Sequence, residues 1–274
     1  MTRKYAVRLD IDTTVCARKL IDVVELGNRL GVKFTIFANM GRSVSLSAAF
    51  LRRLSQRSVR GNPTEPMMKL SIRDKIGWKG ILESILINPE LHRLSADALL
   101  KARDSGHEIG LHGGLNHSLW HFAASSMDAD QMHRFLTPAI EHYQNILGYN
   151  SFGFSSPGFK SSQPAYEILA GAGCAYLSDF IDCTGRVRCS PCGLPDVPVT
   201  LSAANTVDFL EWYVASGASS PLENAIEQSI GEDGFGVYYS HPCFIAGKGK
   251  QVFSQFVCAL REQAEIVTMS ELVL

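Results

Sequence analysis

Short apolar or alternating runs recur along the chain with helix-length stretches between them, and this alternation constrains the fold more than any single residue does. The runs fall at residues 5–11, 33–39, 108–113, 152–156, 176–180, 197–201, 237–241 and 265–269. Between them, 16–30, 95–105 and 128–147 carry helical periodicity and end at Gly31, Gly106 and Gly148, glycine being the residue best suited to a left-handed helix stop. Strands joined by helices in this way build a mostly parallel sheet. Seven or eight of them in 274 residues predict an α/β fold, a single distorted (β/α) barrel spanning 1–274. The stretch 43–89 is too long for one crossover helix and reads as a largely helical insertion at about 43–90.

Charge marks the same insertion. The chain as a whole carries −1, which argues against a nucleic-acid partner, but from Arg42 to Lys79 there are nine basic residues against Glu65 and Asp74. Such a block reads either as a solvated face or as a surface drawn to anionic lipid headgroups. Met67, Met68, Leu70, Ile81, Leu82 and Ile85–Ile87 supply apolar residues for the acyl region in the second case. No apolar run is long enough to span a bilayer, the first strand begins too early for a secretory signal, and seven scattered cysteines suit reduced thiols. The expectation is a cytoplasmic protein, with peripheral contact to the inner face of the membrane as the alternative. Cys189-Ser190-Pro191-Cys192 has CxxC spacing, but a single pair is a weak metal or redox signal.

Barrel enzymes gather their chemistry at the carboxyl ends of the strands. The first strand ends Arg8-Leu9-Asp10-Ile11-Asp12, and side-chain alternation sends Asp10 and Asp12 to one side. Two carboxylates in one space suggest a cation site or a proton-sharing pair, unless one merely caps the next helix. The strand at 108–113 ends at His112, with His117 just beyond it and His121 a turn further on. Imidazoles near a carboxylate are good ligands for transition metals. The strand at 237–241 ends in His241 before Pro242, placed to act as a general acid at the mouth. Asp179 could orient that imidazole or form a surface salt bridge.

Taken strand end by strand end, these positions resemble the polysaccharide deacetylase family, the NodB-homology carbohydrate esterases. That family has an Asp pair, a His pair, a proline-containing loop, a later Asp and a final His in this order. VRLDIDT, MGRS, GWKGIL, HEIGLH, SDF, PVTL, YYSHP and VTMSELV further resemble its subgroup of formamido-arabinose deformylases, which act on a polyprenyl-phosphate-linked sugar. The resemblance implies one divalent metal ion on Asp12, His112 and His117, a base at Asp10 and an acid at His241. Zinc is the first expectation for the metal; cobalt, nickel, manganese and iron suit the same ligands.

Two departures stand out. The histidines are five apart rather than four, which Gly113 and Gly114 can absorb; otherwise His121 or a water replaces His117. Ser155 stands where the family's loop carries an arginine for the catalytic Asp, which nominates Lys160 for that carboxylate or for a substrate phosphate. Arg42, in MGRS, is a further substrate-binding candidate.

The function implied is hydrolysis of an N-formyl or N-acetyl group from an amino sugar, one linked to a polyprenyl phosphate being a candidate. The rivals are a deacetylase of a soluble or glycan N-acetyl sugar and a non-catalytic barrel that binds a sugar or lipid phosphate.

Overall fold

In the computed structural model, which describes residues 3–45, 69–203 and 206–273, nine strands form one sheet. They are β1 Lys4–Ile11, β2 Thr35–Ala38, β3 Glu108–His112, β4 Phe152–Ser155, β5 Cys174–Leu177, β6 Arg188–Cys189, β7 Pro195–Asp196, β8 Phe235–Ser240 and β9 Glu265–Val267. The order is β6-β7-β5-β4-β3-β2-β1-β8, parallel except for the β6–β7 pair, and β9 lies along the lower half of β1. Helices Thr14–Leu30, Leu91–Asp104 and Ala129–Leu147 end as the sequence predicts, with Gly31, Gly106 and Gly148 at φ of +66°, +83° and +73°.

The expected strand at 197–201 is replaced by single bridges, Ile181 to Val199 and Leu201 to Tyr238, after the two-residue β7. Pro198 is the reason, because it has no N–H for a ladder. The N–H groups on either side still bond, Val197 to Leu177 O (2.8 Å) and Val199 to Phe180 O (3.0 Å), and Leu201 N–H reaches Val237 O (3.0 Å). This irregular segment therefore joins β5 to β8 and closes the sheet into a distorted barrel.

Alternation along β1 sorts its residues between two cores. Tyr5, Val7, Leu9 and Ile11 face the helices, whereas Ala6 faces a smaller interior cluster with Phe37, Tyr176, Val197, Val237 and Tyr239. Gly110 and Gly153 make room inside: a Cβ on Gly110 would sit 2.6 Å from the Phe37 ring, and one on Gly153 2.2 Å from the Tyr176 ring. The same alternation sends Arg8 and Asp10 inward, toward the strand ends where the site forms.

Of the insertion, residues 46–68 lie outside the described residues, and with them Arg52, Arg53, Arg57, Arg60, Met67 and Met68. The remainder of the insertion is helical as expected: Ile72–Leu82, interrupted at Gly77 (φ +66°), then a π-helical turn Glu83–Ile87. No helix among the described residues is long and apolar enough to cross a membrane.

Candidate metal centre and active site

Asp12 ends β1 and collects three imidazoles. Its Oδ1 lies 3.1 Å from His112 Nε2 and 3.2 Å from His117 Nε2, and its Oδ2 lies 3.1 Å from His241 Nε2. Buried Oδ1 nevertheless has no hydrogen-bond partner. The two nitrogens thus converge on the oxygen without donating to it, as the donors of a metal site do. Asp12, His112 and His117 each offer one ligand atom within 4.8 Å of the others, a set of one carboxylate and two imidazoles that suits a divalent transition metal. Burial alone would raise the Asp12 pKa, but His117 and His241 hold it well below the usual carboxylate value of 3.8. For His241 burial is the largest influence and acts to lower the pKa, yet Asp12 lifts it to about 9. Sharing Asp12 with a cation would draw it back toward neutrality, the range a general acid needs.

Local structure explains how the histidines arrive. His112 Nδ1 is 2.7 Å from Ser155 Oγ on β4; a proton on Nδ1, donated to Ser155, leaves the Nε2 lone pair facing Asp12. The turn from His112 to His117 passes through Gly113, whose φ is +63° and whose Cβ, if present, would meet the Pro157 ring at 2.8 Å. His117 then starts the helix His117–Ala123, capped by Asn116, whose side chain accepts from Leu119 N–H (3.0 Å). A neighbouring loop pins this turn: Arg42 N–H donates to Leu115 O (2.9 Å) and His117 N–H to Arg42 O (2.8 Å), while Ser43 Oγ–H donates to Asp12 O (2.8 Å). His121 is directed elsewhere, its ring packed over Gly158.

Asp10 is held from its own strand. Arg8 Nε and Nη2 donate to its two carboxylate oxygens at 2.9 and 2.7 Å, and Arg8 Nη1 donates to Ser178 O (2.6 Å) and Oγ (3.0 Å). The guanidinium is wholly buried, 5.0 Å from the Phe37 ring centroid, 5.1 Å from Phe159 and 6.0 Å from Tyr239. Such a bidentate, aromatic-lined setting fixes the orientation of a carboxylate. Phe159, at a φ of +55° that side chains rarely adopt, places its ring there and edge-on to Tyr239 at 5.4 Å.

Arg8 is the residue that sequence reasoning missed. The expectation searched the proline loop for a basic partner, whereas the signal was the i, i+2 pair Arg8–Asp10 on one strand face. Lys160, nominated for that role, is exposed and meets the site only through its backbone, its carbonyl accepting from Trp120 Nε1–H (2.7 Å). Arg42 points away, donating to Asn88 O (2.7 Å) and pairing with Glu90 (3.8 Å).

Asp179 neither orients His241 nor lies on the surface. It is buried, its Oδ1 accepts from Ser156 N–H (2.6 Å), and its own N–H donates to Asp196 Oδ1 (2.9 Å). Burial, then the neighbouring Asp196, raise its pKa to about 7. The reason is topology: Asp179 follows β5, which the segment 197–201 separates from β8, so it braces the proline loop through Ser156 instead. The carboxylate nearer His241 is buried Asp208, which accepts from Tyr238 Oη–H (2.7 Å) and Ser240 Oγ–H (2.5 Å) on β8 and caps the helix Phe209–Ser216. Cys189 and Cys192 join no metal-type cluster among the described residues, and all seven cysteines are free.

A distorted parallel barrel with an Asp-His-His cluster at its strand ends is the fold of the CE4 polysaccharide deacetylases. No protein-family model matches the sequence. It is 24% identical, over 98% of this chain and 85% of the relative, to a Shewanella sediminis protein named as the 4-deoxy-4-formamido-L-arabinose-phosphoundecaprenol deformylase ArnD. The crystal structure of a protein named as a polysaccharide deacetylase from Mycobacterium smegmatis superposes with a TM-score of 0.60 at 14% identity, covering 99% of this chain and 88% of that one. A CE4 family pseudoenzyme from Bacillus anthracis gives 0.52 at 9% identity, covering 100% of this chain and 66% of that one.

Proposed function

We propose that the protein is a metal-dependent amide hydrolase that removes a formyl or acetyl group from the nitrogen of an amino sugar. One observation carries this reading: a carboxylate locked in place by Arg8 and an imidazole at His241 flank the Asp12-His112-His117 cluster. Because the same fold hosts a protein described as a pseudoenzyme, the fold alone would not support it.

A divalent ion on Asp12, His112 and His117 would polarise the acyl carbonyl and make a water acidic near neutral pH. Asp10 accepts the proton from the attacking water as its oxygen bonds to the acyl carbon, and Arg8 keeps the carboxylate aimed. The turn Pro157–Phe159 offers the oxyanion the Gly158 N–H, since proline has none and the Phe159 N–H donates to Ser156 O (3.1 Å). His241 donates a proton to the nitrogen as the C–N bond breaks, and a carboxylate and an amine leave.

The ArnD-named relative supports a formamido sugar on a polyprenyl phosphate as the substrate. Exposed apolar residues on the segment 72–87 support peripheral contact with a lipid surface.

The test is metal content together with release of formate or acetate from N-acyl amino sugars. About one divalent ion per chain is expected. Asp10→Asn should keep it and lose about 10²- to 10⁴-fold in turnover. Unchanged turnover in Asp10→Asn would remove Asp10 from the chemistry. Failure to bind metal would favour a non-catalytic binding barrel.

A further inference from the structure

A cavity of about 450 Å³ opens directly from the reacting centre, and nothing in the hydrolysis of a formyl or acetyl group uses it. Asp12 and His241 line it together with Val44, Ile72, Ile76, Ile81 and Ile85. Its hydroxyls are already engaged, Thr13 with Cys16 N–H (3.2 Å), Ser43 with Asp12 O (2.8 Å) and Ser84 with Thr14 Oγ1 (3.2 Å). Among the described lining residues the basic side chains are Lys75, which pairs with buried Glu211 at 2.5 Å, and His241, which pairs with Asp12 at 3.1 Å.

We infer that this cavity binds the tail of the acyl group, so that the substrate range extends to N-acyl amino sugars with straight chains longer than acetyl. The inference rests on the hydrolase reading above. Three observations select the acyl tail. An apolar wall rewards an apolar substituent and offers a sugar's hydroxyl groups no partners. Asp12 and His241 themselves line the cavity, which puts its occupant beside the reacting carbon, where the acyl substituent lies. A polyprenyl carrier, by contrast, joins through phosphate on the far side of the sugar, and both basic side chains among the described lining residues, Lys75 and His241, are already paired with carboxylates. The reaction needs no further co-reactant: water adds to the acyl carbon, the C–N bond breaks, and the longer carboxylate stays in the cavity as product.

The experiment pairs turnover with binding. Amine release is measured for N-formyl-, N-acetyl-, N-butanoyl- and N-hexanoylglucosamine, and calorimetry measures binding of butanoate, octanoate and octyl phosphate. A buried methylene contributes about 0.8 kcal/mol, or roughly fourfold. Octanoate should therefore bind about 10²-fold tighter than butanoate, and kcat/KM should climb along the acyl series. Ile76→Trp, and independently Val44→Trp, should flatten both trends.

Binding and turnover that ignore chain length would overturn the proposal, as would a chain-length effect that survives both tryptophans. Octyl phosphate binding more tightly than octanoate, and losing that advantage in Ile76→Trp, would reassign the cavity to a lipid carrier. If no N-acyl sugar is cleaved while octanoate binding stays length-dependent and tryptophan-sensitive, the hydrolase reading fails and the chain-binding cavity stands.

Discussion

The barrel mouth and the inserted segment 72–87 meet at one cavity but are built on opposite rules. At the mouth, Arg8 and Asp10 are 0% and 4% exposed, each held by several partners, and their positions follow from strand register. On the segment, Leu86 is 77% exposed, Ile72 and Ile87 68%, and Trp78 61%, on a helix broken at Gly77. Rigid polar order marks where bonds are made and broken; unpartnered apolar surface marks where something else is meant to dock. If that contrast holds, substitutions at the mouth cost stability or chemistry, and substitutions on the segment cost neither.

The largest stability effect is expected at Arg8. Arg8→Met keeps the volume and leaves Asp10 as a buried carboxylate without its counter-charge, which should destabilise by about 3–5 kcal/mol. Arg8→Lys restores charge without the two-pronged geometry, so stability should return further than turnover does. Urea unfolding beside single-substrate kinetics would show this. A stable Arg8→Met protein with full turnover would break the idea of an internally braced base.

Asp179 sharpens the same side through pH. Its folded pKa near 7, raised by burial and by Asp196, lies above the ordinary 3.8. The folded state thus keeps a proton that the unfolded chain loses between these values. Stability from this group is complete below about pH 4, declines as pH rises to about 7 and is flat beyond. At 1.36 kcal/mol per unit the loss is at most about 4 kcal/mol. Asp179→Asn should flatten that fall when unfolding is measured from pH 5 to 8. An unchanged slope would mean that the carboxyl is ionised throughout and paired with Arg8.

Gly113 ranks next. An alanine there takes a φ of +63° and presses on Pro157, at an expected cost of about 1–3 kcal/mol. Because the displaced loop carries His117, metal affinity should fall roughly 10- to 100-fold, as it does when groups supporting a ligand are lost. Stability lost with metal affinity intact would show that His117 is not held through this turn.

The sequence displayed the strand ends and their histidines because period, glycine stops and spacing are local properties. It hid the partner of Asp10 because Arg8 looks like an ordinary strand residue until both faces of β1 are known to be buried. It misplaced Asp179 for a related reason: closure of the barrel, not chain order, decides which strands lie beside β8. Pro198 could have warned that 197–201 would not run as a regular strand. An Asp ahead of a helix, as Asp208 stands before Phe209–Ser216, is an ordinary cap, and only the fold adds that Tyr238 and Ser240 donate to it.

The smallest stability effect is expected on the inserted segment, and it decides whether the contrast concerns docking at all. Trp78→Ser and Leu86→Ser remove exposed apolar groups, so unfolding free energy should stay within about 0.5 kcal/mol. If the segment meets a lipid surface, however, flotation with vesicles containing anionic lipid should fall, since apolar insertion and attraction of Arg73 and Lys79 act together. Binding to neutral vesicles should be weaker from the start, and added salt should weaken the anionic case. Flotation equal in wild type and variants, or indifferent to lipid charge, would remove the membrane from the account. Ile72 and Ile85, which line the cavity, would then serve the substrate alone, and Ile85→Ser instead of Trp78→Ser should alter chain-length preference for N-acyl substrates.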